Sequence, residues 1–142
     1  MKVEDIMSRS VISVGPDEPV AAAARLLQRH DLGALPVCDG AGRLRGFVTD
    51  RDIVLRCVAL DGDAASLPVR EIMSRGIVTA GTEESVETVS SRMARSQLRR
   101  LPVTADGRVV GMVTLCDLAR RPDCGRQAAE ALSGISANIR TL

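Results

Sequence analysis

Residues 46–52 read GFVTDRD, and residues 111–117 read GMVTLCD. Each stretch has a glycine, two apolar residues, a threonine and, three residues after the threonine, an aspartate. Apolar β-favouring residues lead into a threonine that is a good helix N-cap. The sequence therefore predicts a strand that passes directly into a helix, and it predicts this junction twice.

The repetition extends over most of the chain. Residues 3–9 match residues 69–75 at an offset of 66, and Leu35-Pro36-Val37 matches Leu101-Pro102-Val103 at the same offset. One deletion lowers the offset to 65 before the glycine motif. This period exceeds the roughly 20 to 50 residues of solenoid repeats. We therefore predict two copies of one small subdomain.

The boundaries of the two copies follow from the offset. We predict a first repeat at residues 1–60, a linker at 61–68, a second repeat at 69–120 and a tail at 121–142. A unit of about 60 residues buries too little surface to be comfortably stable alone. The repeats are therefore expected to pack about a pseudo-two-fold axis, with a ligand cleft between them.

Apolar spacing and turn residues predict a mixed α/β fold in each repeat. The first repeat is predicted to contain a helical turn at Val3 to Met7, a strand at Val11 to Ser13, a helix from an Asp17 N-cap to His30, strands Ala34 to Cys38 and Leu44 to Thr49, and a helix from Ile53 to Leu60. The second repeat is predicted to contain a turn at Val69 to Met73, a strand at Ile77 to Thr79, a helix from Glu84 to Ser96, a hairpin from Leu101 to Val113 and a helix from Leu115.

The tail is predicted to form an amphipathic helix from Gln127 to Ile139. Its predicted apolar face comprises Ala128, Leu132, Ile135 and Ile139.

Composition excludes several function classes. The 142 residues carry a formal charge of +1, too small for binding nucleic acid by counterion release, and Phe47 is the one aromatic residue, so bases have no stacking platform. No window of about 18 residues is free of charge, which predicts no signal peptide and no membrane partner. We expect a cytoplasmic protein that does not bind nucleic acid.

Catalytic and metal-binding patterns are missing from the sequence. His30 is the only histidine, the four cysteines form no C-x-x-C pair, and no common hydrolase or nucleotide-hydrolysis motif occurs. We therefore predict no enzyme, no required cofactor and no metal site, and buried reduced thiols at the cysteines. Cys116 lies within the second motif, so a cysteine-based redox or metal sensor stays open as an alternative.

The repeated motif suits a nucleotide monophosphate unit. A strand-to-helix junction offers free backbone N–H groups to a phosphate, the threonine hydroxyl can donate to a phosphate oxygen, and the aspartate can accept from ribose hydroxyls. The alternative is structural: Thr49 and Asp52, and likewise Thr114 and Asp117, cap a helix. The glycine also has a structural interpretation, as a position where a Cβ would crowd the backbone.

The order I-M, V, L-P-V and G-h-h-T-x-x-D (h, apolar), occurring twice, resembles a pair of cystathionine-β-synthase (CBS) domains over residues 1 to about 120. The resemblance implies β-α-β-β-α in each repeat and two clefts for AMP, ADP, ATP or a related adenosyl ligand. It also implies a regulatory rather than catalytic role, as in small stress-associated bacterial proteins, with a regulated partner protein that the sequence leaves unidentified. A homodimer that acts as an interaction module without a ligand is the other alternative.

The resemblance also implies site residues. The cleft with Thr114 and Asp117 would take its adenine wall from Ile12, Leu32, Gly33 and Ala34, and its phosphate contacts from Arg99 and Arg100. The opposite cleft would use Thr49, Arg51 and Asp52, with Val78 and Leu98 as its apolar wall.

The arginine pair makes the two clefts unequal. Gly33 and Ala34 stand where the second repeat has Arg99 and Arg100. We therefore expect the Asp117 cleft to bind a phosphorylated adenosine ligand more tightly than the Asp52 cleft. The alternative is that the two arginines are solvated or pair with Glu83, Glu84 or Glu87.

Overall fold

A computed structural model describes residues 1–137 and divides the chain into two compact units. Unit 1 comprises Met1–Val11, Val78–Asp106 and the described residues from Val110 onward, and unit 2 comprises Ile12–Ile77 and Gly107–Val109. The units do not coincide with the sequence repeats, because Met1–Val11 belongs to the unit built mainly from the second repeat.

Unit 2 is a helix, a hairpin and a second helix. Its elements are α1 (Val20–His30), β1 (Ala34–Cys38), β2 (Leu44–Thr49) and α2 (Asp50–Arg56), followed by 3-10 turns at Val58–Leu60 and Val69–Glu71. β1 and β2 are antiparallel, with Ala34 opposite Thr49. Val20, Ala23 and Leu27 recur at helical spacing, so α1 buries this face in one core with the apolar residues of the hairpin.

Unit 1 adds a short strand and a C-terminal helix to the same arrangement. Its elements are β3 (Ala80–Gly81), α3 (Val86–Ser96), β4 (Arg100–Ala105), β5 (Arg108–Thr114), α4 (Leu115–Ala119) and α5 (Gly125–Ile135), with 3-10 turns at Val3–Asp5 and Pro122–Cys124. β4 lies between β3, which is parallel to it, and β5. α5 approaches α3 so closely that a Cβ on Gly134 would lie 2.5 Å from the Cβ of Ala94.

The two repeats exchange their first segments, so that the first segment of each repeat lies in the unit built mainly from the other repeat. In unit 2, Phe47 of β2 and Ser74 exchange two backbone hydrogen bonds of 2.9 Å. In unit 1, Met112 of β5 and Ser8 do the same at 2.8 and 2.9 Å. Each hairpin is therefore extended by the I-M-S segment of the other repeat.

This exchange explains the glycine of the repeated motif. A Cβ on Gly46 would lie 2.9 Å from the Ser74 carbonyl oxygen, and one on Gly111 would lie 2.8 Å from the Ser8 oxygen. Neither glycine has a positive φ. The requirement is therefore steric, as the crowding interpretation of the glycine predicts.

Both strands of the first hairpin have the predicted bounds, but several other boundaries were wrong. The strand predicted at Val11 to Ser13 is a single parallel bridge between Val14 and Val37, and the strand predicted at Ile77 to Thr79 lies at Ala80–Gly81. These pairs are short, so the tertiary partner and not local propensity places them.

Three helix starts also differ from prediction. The N-cap of α1 is Pro19, because Glu18 accepts a hydrogen bond from the Gly15 amide at 2.6 Å and closes the preceding turn; Asp17 pairs with Arg70 instead. α3 begins at Val86, after Ser85 as N-cap. α2 begins at Asp50, three residues before the predicted Ile53, and a 3-10 turn replaces its last predicted turn.

The predicted helix in the tail is confirmed, but its predicted apolar face is wrong in part. It begins at Gly125 and buries Ala128, Ala131 and Ile135, whereas Leu132 is 48% exposed. The predicted end at Ile139 lies outside the described residues. α3 is the partner of the buried face, because both helices contribute to the same core.

Candidate functional site

The motif of unit 2 folds into a reciprocal cap at the start of α2. The Asp52 amide donates to Thr49 Oγ1 at 3.0 Å, and the Thr49 amide donates to Asp52 Oδ2 at 2.9 Å. Two amides that the helix leaves without partners are thereby satisfied. The threonine keeps its hydroxyl proton free to donate, and the aspartate keeps its Oδ1.

Unit 1 repeats this geometry closely. The Asp117 amide donates to Thr114 Oγ1 at 3.1 Å, and the Thr114 amide donates to Asp117 Oδ2 at 2.8 Å. The structural interpretation of the motif is therefore correct in both units. It does not exclude ligand binding, because capping uses one aspartate oxygen and leaves the other.

The remaining aspartate oxygens differ between the units. Asp52 Oδ1 lies 3.8 Å from Arg56 Nε, and the Asp52 side chain is only 14% exposed. Arg121, the equivalent of Arg56, donates instead to the Asp5 carbonyl oxygen at 2.7 Å. Within residues 1–137, Asp117 Oδ1 has no ion-pair or hydrogen-bond partner.

The residue just before each hairpin is hydrogen-bonded to the motif of the same unit. The Asp50 amide donates to the Gly33 carbonyl oxygen at 3.0 Å, and the Leu115 amide donates to the Arg99 oxygen at 2.8 Å. Residues 32–34 therefore flank Thr49 and Asp52, and residues 98–100 flank Thr114 and Asp117.

The predicted wall residues of each cleft lie in the unit that does not contain its motif aspartate, and their assignment to the clefts stays a prediction. Ile12, Leu32, Gly33 and Ala34, predicted as the wall for Asp117, belong to the unit that contains Asp52; Val78 and Leu98, predicted for Asp52, belong to the unit that contains Asp117. Ile12 and Leu32 pack against the core of unit 2, and Val78 packs against the core of unit 1. Leu98 is 36% exposed.

The carboxylates proposed as alternative partners of the arginine pair bond elsewhere. Glu83 pairs with Lys2 at 3.5 Å, Glu84 with Arg92 at 2.6 Å, and Glu87 accepts from Gln127 at 3.4 Å. Pairing of Arg99 or Arg100 with these glutamates is therefore wrong for the described part of the chain, and a solvated arginine pair stays open. Arg99 is exposed and Arg100 half-buried, and across residues 1–137 neither forms an ion pair.

Arg56 and Arg121 are site residues that the sequence reasoning missed. Both lie four residues after a motif aspartate, at equivalent positions of the two repeats, and both donate to a backbone carbonyl: Arg56 to Ile72 at 3.1 Å and Arg121 to Asp5. The repetition of an arginine at the motif's own offset of 65 residues was the sequence signal that could have identified them. They fix the exchanged segments beside the motifs.

The cysteines do not share one environment. Cys57 and Cys124 are buried, as predicted, but Cys38 is half-buried and Cys116 is exposed. Burial raises the pKa of the Cys38 and Cys124 thiols. Over residues 1–137 no group of three or more histidine, cysteine, aspartate or glutamate side chains is arranged to hold a metal ion. In the same range, no helix has the length and apolar character needed to cross a membrane.

Comparisons with known proteins agree with this fold. The CBS domain pattern matches residues 3–58 and 69–123. CBS domain-containing protein YhcV of Bacillus subtilis is 40% identical over 134 residues, which is 94% of each chain. Hypoxic response protein 1 of Mycobacterium tuberculosis is 39% identical over 116 residues, covering 82% of this chain and 81% of that protein.

Solved structures give the same assignment. Hypoxic Response Protein I with two coordinated zinc ions superposes with a TM-score of 0.79 at 36% identity, covering 85% of this chain and 98% of that one. The CBS domain pair of protein MJ0100, in complex with 5'-methylthioadenosine and S-adenosyl-L-methionine, superposes with a TM-score of 0.74 at 33% identity, covering 84% and 94%. The chain therefore belongs to the CBS domain family and contains two CBS domains.

Proposed function

We propose that the chain is a non-catalytic regulatory module that binds an adenine nucleotide or a related adenosyl ligand and signals to a partner protein. The observation that carries the proposal is in unit 1. There Asp117 Oδ1 has no partner among residues 1–137, and the Leu115 amide donates to the carbonyl oxygen of Arg99, one of two arginines that no described carboxylate neutralises. The adenosyl ligands bound by the MJ0100 pair support the ligand class.

Each atom left free by the cap has a role in this proposal. Asp117 Oδ1 accepts from the ribose hydroxyls, and the Thr114 hydroxyl donates to the 5' substituent. Arg99 and Arg100 bind the phosphate, for which guanidinium is well suited.

The equivalent site in unit 2 uses Asp52, Thr49 and Arg51. Gly33 and Ala34 lie beside it, since the Asp50 amide donates to the Gly33 oxygen and Ala34 is opposite Thr49. Arg56 already lies near Asp52 Oδ1, and Gly33 and Ala34 replace the arginine pair of the second repeat. We therefore expect weaker binding of phosphorylated ligands at this site.

The regulatory role follows from differential affinity. A ligand that binds one conformation of the module better than another shifts the population by that difference, and a partner protein can respond to the shift. The relative named Hypoxic response protein 1 supports a role in a stress response. The chain's own partner is to be identified by experiment.

The test is calorimetry and thermal unfolding of the purified chain with AMP, ADP, ATP, S-adenosylmethionine and NAD, together with an assay for ATP hydrolysis. We expect saturable binding of at least one adenosine ligand, stabilisation that rises with its concentration, and no turnover. Asp117→Ala should weaken AMP binding more than Asp52→Ala does. Absence of binding by all five ligands would contradict the proposal, and equal losses from the two variants would contradict the ranking.

A second function, self-association, is favoured by an exposed apolar patch on unit 2. Val54, Leu55, Val58 and Leu60 are 54%, 45%, 62% and 72% exposed. The equivalent positions after β5 are Ala119, Arg120, Asp123 and Gly125, so only the first repeat carries the patch. Contiguous exposed apolar residues mark interaction surfaces. We propose that a second copy of the chain covers them.

Light scattering after size exclusion tests this interface. We expect the wild-type chain to be a dimer and Val58→Glu to be a monomer. Leu132→Glu, at another exposed leucine on α5, is the matched control and should remain a dimer. A monomeric wild type, or equal dissociation by both variants, would contradict the interface.

A further inference from the structure

The turns of the two hairpins are joined by backbone hydrogen bonds, and an arginine of one turn faces an arginine of the other. Arg43 precedes β2 and Arg108 begins β5, and the two are equivalent positions of the repeats at the offset of 65. Both lie in unit 2. Two bonds from an amide to a carbonyl oxygen join the turns: Leu44 to Gly107 at 3.2 Å and Val109 to Gly42 at 3.4 Å. Arg43 and Arg108 are therefore partners in an antiparallel bridge.

This bridge places the side chains of the two turn arginines, Arg43 and Arg108, on one face at short range. The two hydrogen bonds flank the pair and do not join its members, and in such pairs the Cα atoms are about 4.5 Å apart and the side chains are closest. The Arg43 guanidinium is directed toward its partner, because its Nη1 lies 3.2 Å from the position of a Cβ on Gly107. Like charges directly opposite each other are unfavourable, so an anion between them would be stabilising.

No carboxylate of the described chain neutralises the turn arginines. Both are exposed, and among the described residues neither side chain forms an ion pair or a hydrogen bond. Asp39, in the first turn, accepts from two turn amides at 2.9 and 3.0 Å and from Arg45 Nε at 2.9 Å, so its charge is already used. Asp106, in the second turn, is exposed and forms no ion pair with either turn arginine. An anion can therefore bind without first breaking an ion pair.

We propose that Arg43 and Arg108 bind one phosphate group between them. Two guanidinium groups present two charges and two sets of paired N–H donors, and a phosphate monoester near neutral pH has three acceptor oxygens and about 1.5 to 2 negative charges. A carboxylate has one charge and two oxygens, which a single guanidinium group already pairs with. The ligand is therefore free phosphate or a small phosphorylated molecule.

This site is separate from the strand-to-helix motif. Arg43 precedes β2 and Thr49 is its last residue, while Arg108 is the first residue of β5 and Thr114 the last. In each case the arginine and the threonine are six residues apart, which in an extended strand spans about 20 Å at about 3.3 Å per residue. The inference therefore goes beyond the proposed function and does not depend on it.

Titration with inorganic phosphate, followed by phosphorus NMR, tests the site. Acetate at equal ionic strength is the reference anion, and we expect saturable phosphate binding that acetate does not reproduce. Arg43→Gln and Arg108→Gln should each weaken phosphate binding at least tenfold, because each removes a charge-assisted contact. Arg25→Gln removes an exposed arginine of α1 in the same unit and is the matched control, with binding as in the wild type.

A background variant distinguishes this site from the phosphate contacts of the proposed function. Arg99→Ala with Arg100→Ala removes the arginines assigned to the nucleotide phosphate, and this variant should still bind inorganic phosphate. Adding Arg43→Gln or Arg108→Gln to it should abolish that binding. Loss of phosphate binding in the background variant, together with wild-type binding in the Arg43→Gln and Arg108→Gln chains, would overturn the proposal and leave the proposed function intact.

Charge inversion in the same background tests the cost of the unliganded pair. In phosphate-free buffer Arg108→Glu should raise the unfolding temperature, because an opposite-charge pair replaces a like-charge pair. Phosphate should raise the unfolding temperature of the background variant in proportion to its binding, and this increase should disappear in Arg108→Glu. An equal increase in both chains, or a lower unfolding temperature of Arg108→Glu without phosphate, would overturn the proposal.

Discussion

The motifs of the two units agree in backbone and disagree in side chains. The capping hydrogen bonds are 2.9 and 3.0 Å in unit 2 and 2.8 and 3.1 Å in unit 1, and each motif glycine lies against an exchanged I-M-S segment. Four equivalent positions beside the motif differ in charge: Gly33, Ala34, Asp50 and Arg51 in unit 2 correspond to Arg99, Arg100, Leu115 and Cys116 in unit 1, a net difference of two positive charges. The comparison teaches that the repeated residues maintain the scaffold, whereas the unrepeated residues beside them differ between the units.

A second difference lies before the first long helix of each unit. Glu84 and its equivalent Glu18 both accept from a glycine amide, at 2.7 and 2.6 Å. In unit 1 Glu84 also forms a two-bond pair with Arg92, at 2.8 and 2.6 Å, whereas unit 2 has Leu26 in the arginine position. The turn before α3 is thus stabilised by an ion pair, whereas the corresponding position in unit 2 is occupied by a leucine that packs against the core.

Substituting the motif glycines tests the part that the units share. Gly46→Ala and Gly111→Ala should each lower the free energy of unfolding by about 2–3 kcal/mol, because the new Cβ collides with a backbone oxygen that cannot move alone. Urea unfolding measures the loss. Gly76→Ala is the control, since no atom lies within 4 Å of its Cβ position. A large loss at only one motif glycine would break the equivalence of the units.

Arg92→Leu tests the difference at the turns by giving unit 1 the residue of unit 2. Hydrogen bonding to Arg92 lowers the pKa of Glu84 from 4.5 to about 2. Since the folded pKa is depressed, this stabilisation is present above pH 4.5 and lost as the pH falls toward 2. Both side chains are about one-third exposed, so solvent screening reduces the expected loss at pH 7 to about 1–2 kcal/mol.

Urea unfolding of Arg92→Leu at pH 7, 4.5 and 2.5 checks this expectation. The difference from the wild type should shrink as the pH falls. Arg126→Leu, which breaks a pair whose side chains are 86% and 63% exposed, should have no measurable effect. A pH-independent difference would mean that Arg92 stabilises unit 1 by packing.

The smallest expected effect is at the helix ends. Asp31 and Gln97, at equivalent positions after α1 and α3, have φ values of 52° and 55°. Asp31→Gly should stabilise the chain by about 0.5 kcal/mol because glycine adopts this conformation without strain. Gln97→Gly should gain less, since Gln97 Nε2 donates to the Gly134 oxygen at 3.4 Å. Thermal unfolding measures both, and a larger gain at Gln97 would contradict this order.

Local sequence predicted the elements that local chemistry determines. The strands at Ala34–Cys38 and Leu44–Thr49 follow from a short apolar run, a turn cluster and a capping threonine. The α1 start was wrong because a side chain one turn earlier, Glu18, closes the chain onto Gly15 before the helix begins. The bounds of the short strands depend on partners distant in sequence, so local pattern did not place them.

The exchange of segments was beyond sequence reasoning for a specific reason. Residues 3–9 and 69–75 are near copies, so either could extend either hairpin without changing the apolar pattern. The motif glycines indicated a close approach but not its partner. The assignment of the apolar residues to the two clefts stays a prediction: Val78 lies in the unit of Asp117, and Ile12 in that of Asp52.

The most direct test of the account is a crystal structure of the chain grown with AMP. The account predicts ribose hydroxyls within hydrogen-bond distance of Asp117 Oδ1, phosphate oxygens on Arg99 or Arg100, and lower or no occupancy beside Asp52. AMP bound away from both aspartates, or phosphate directed toward Asp50 with the arginine pair unoccupied, would contradict it.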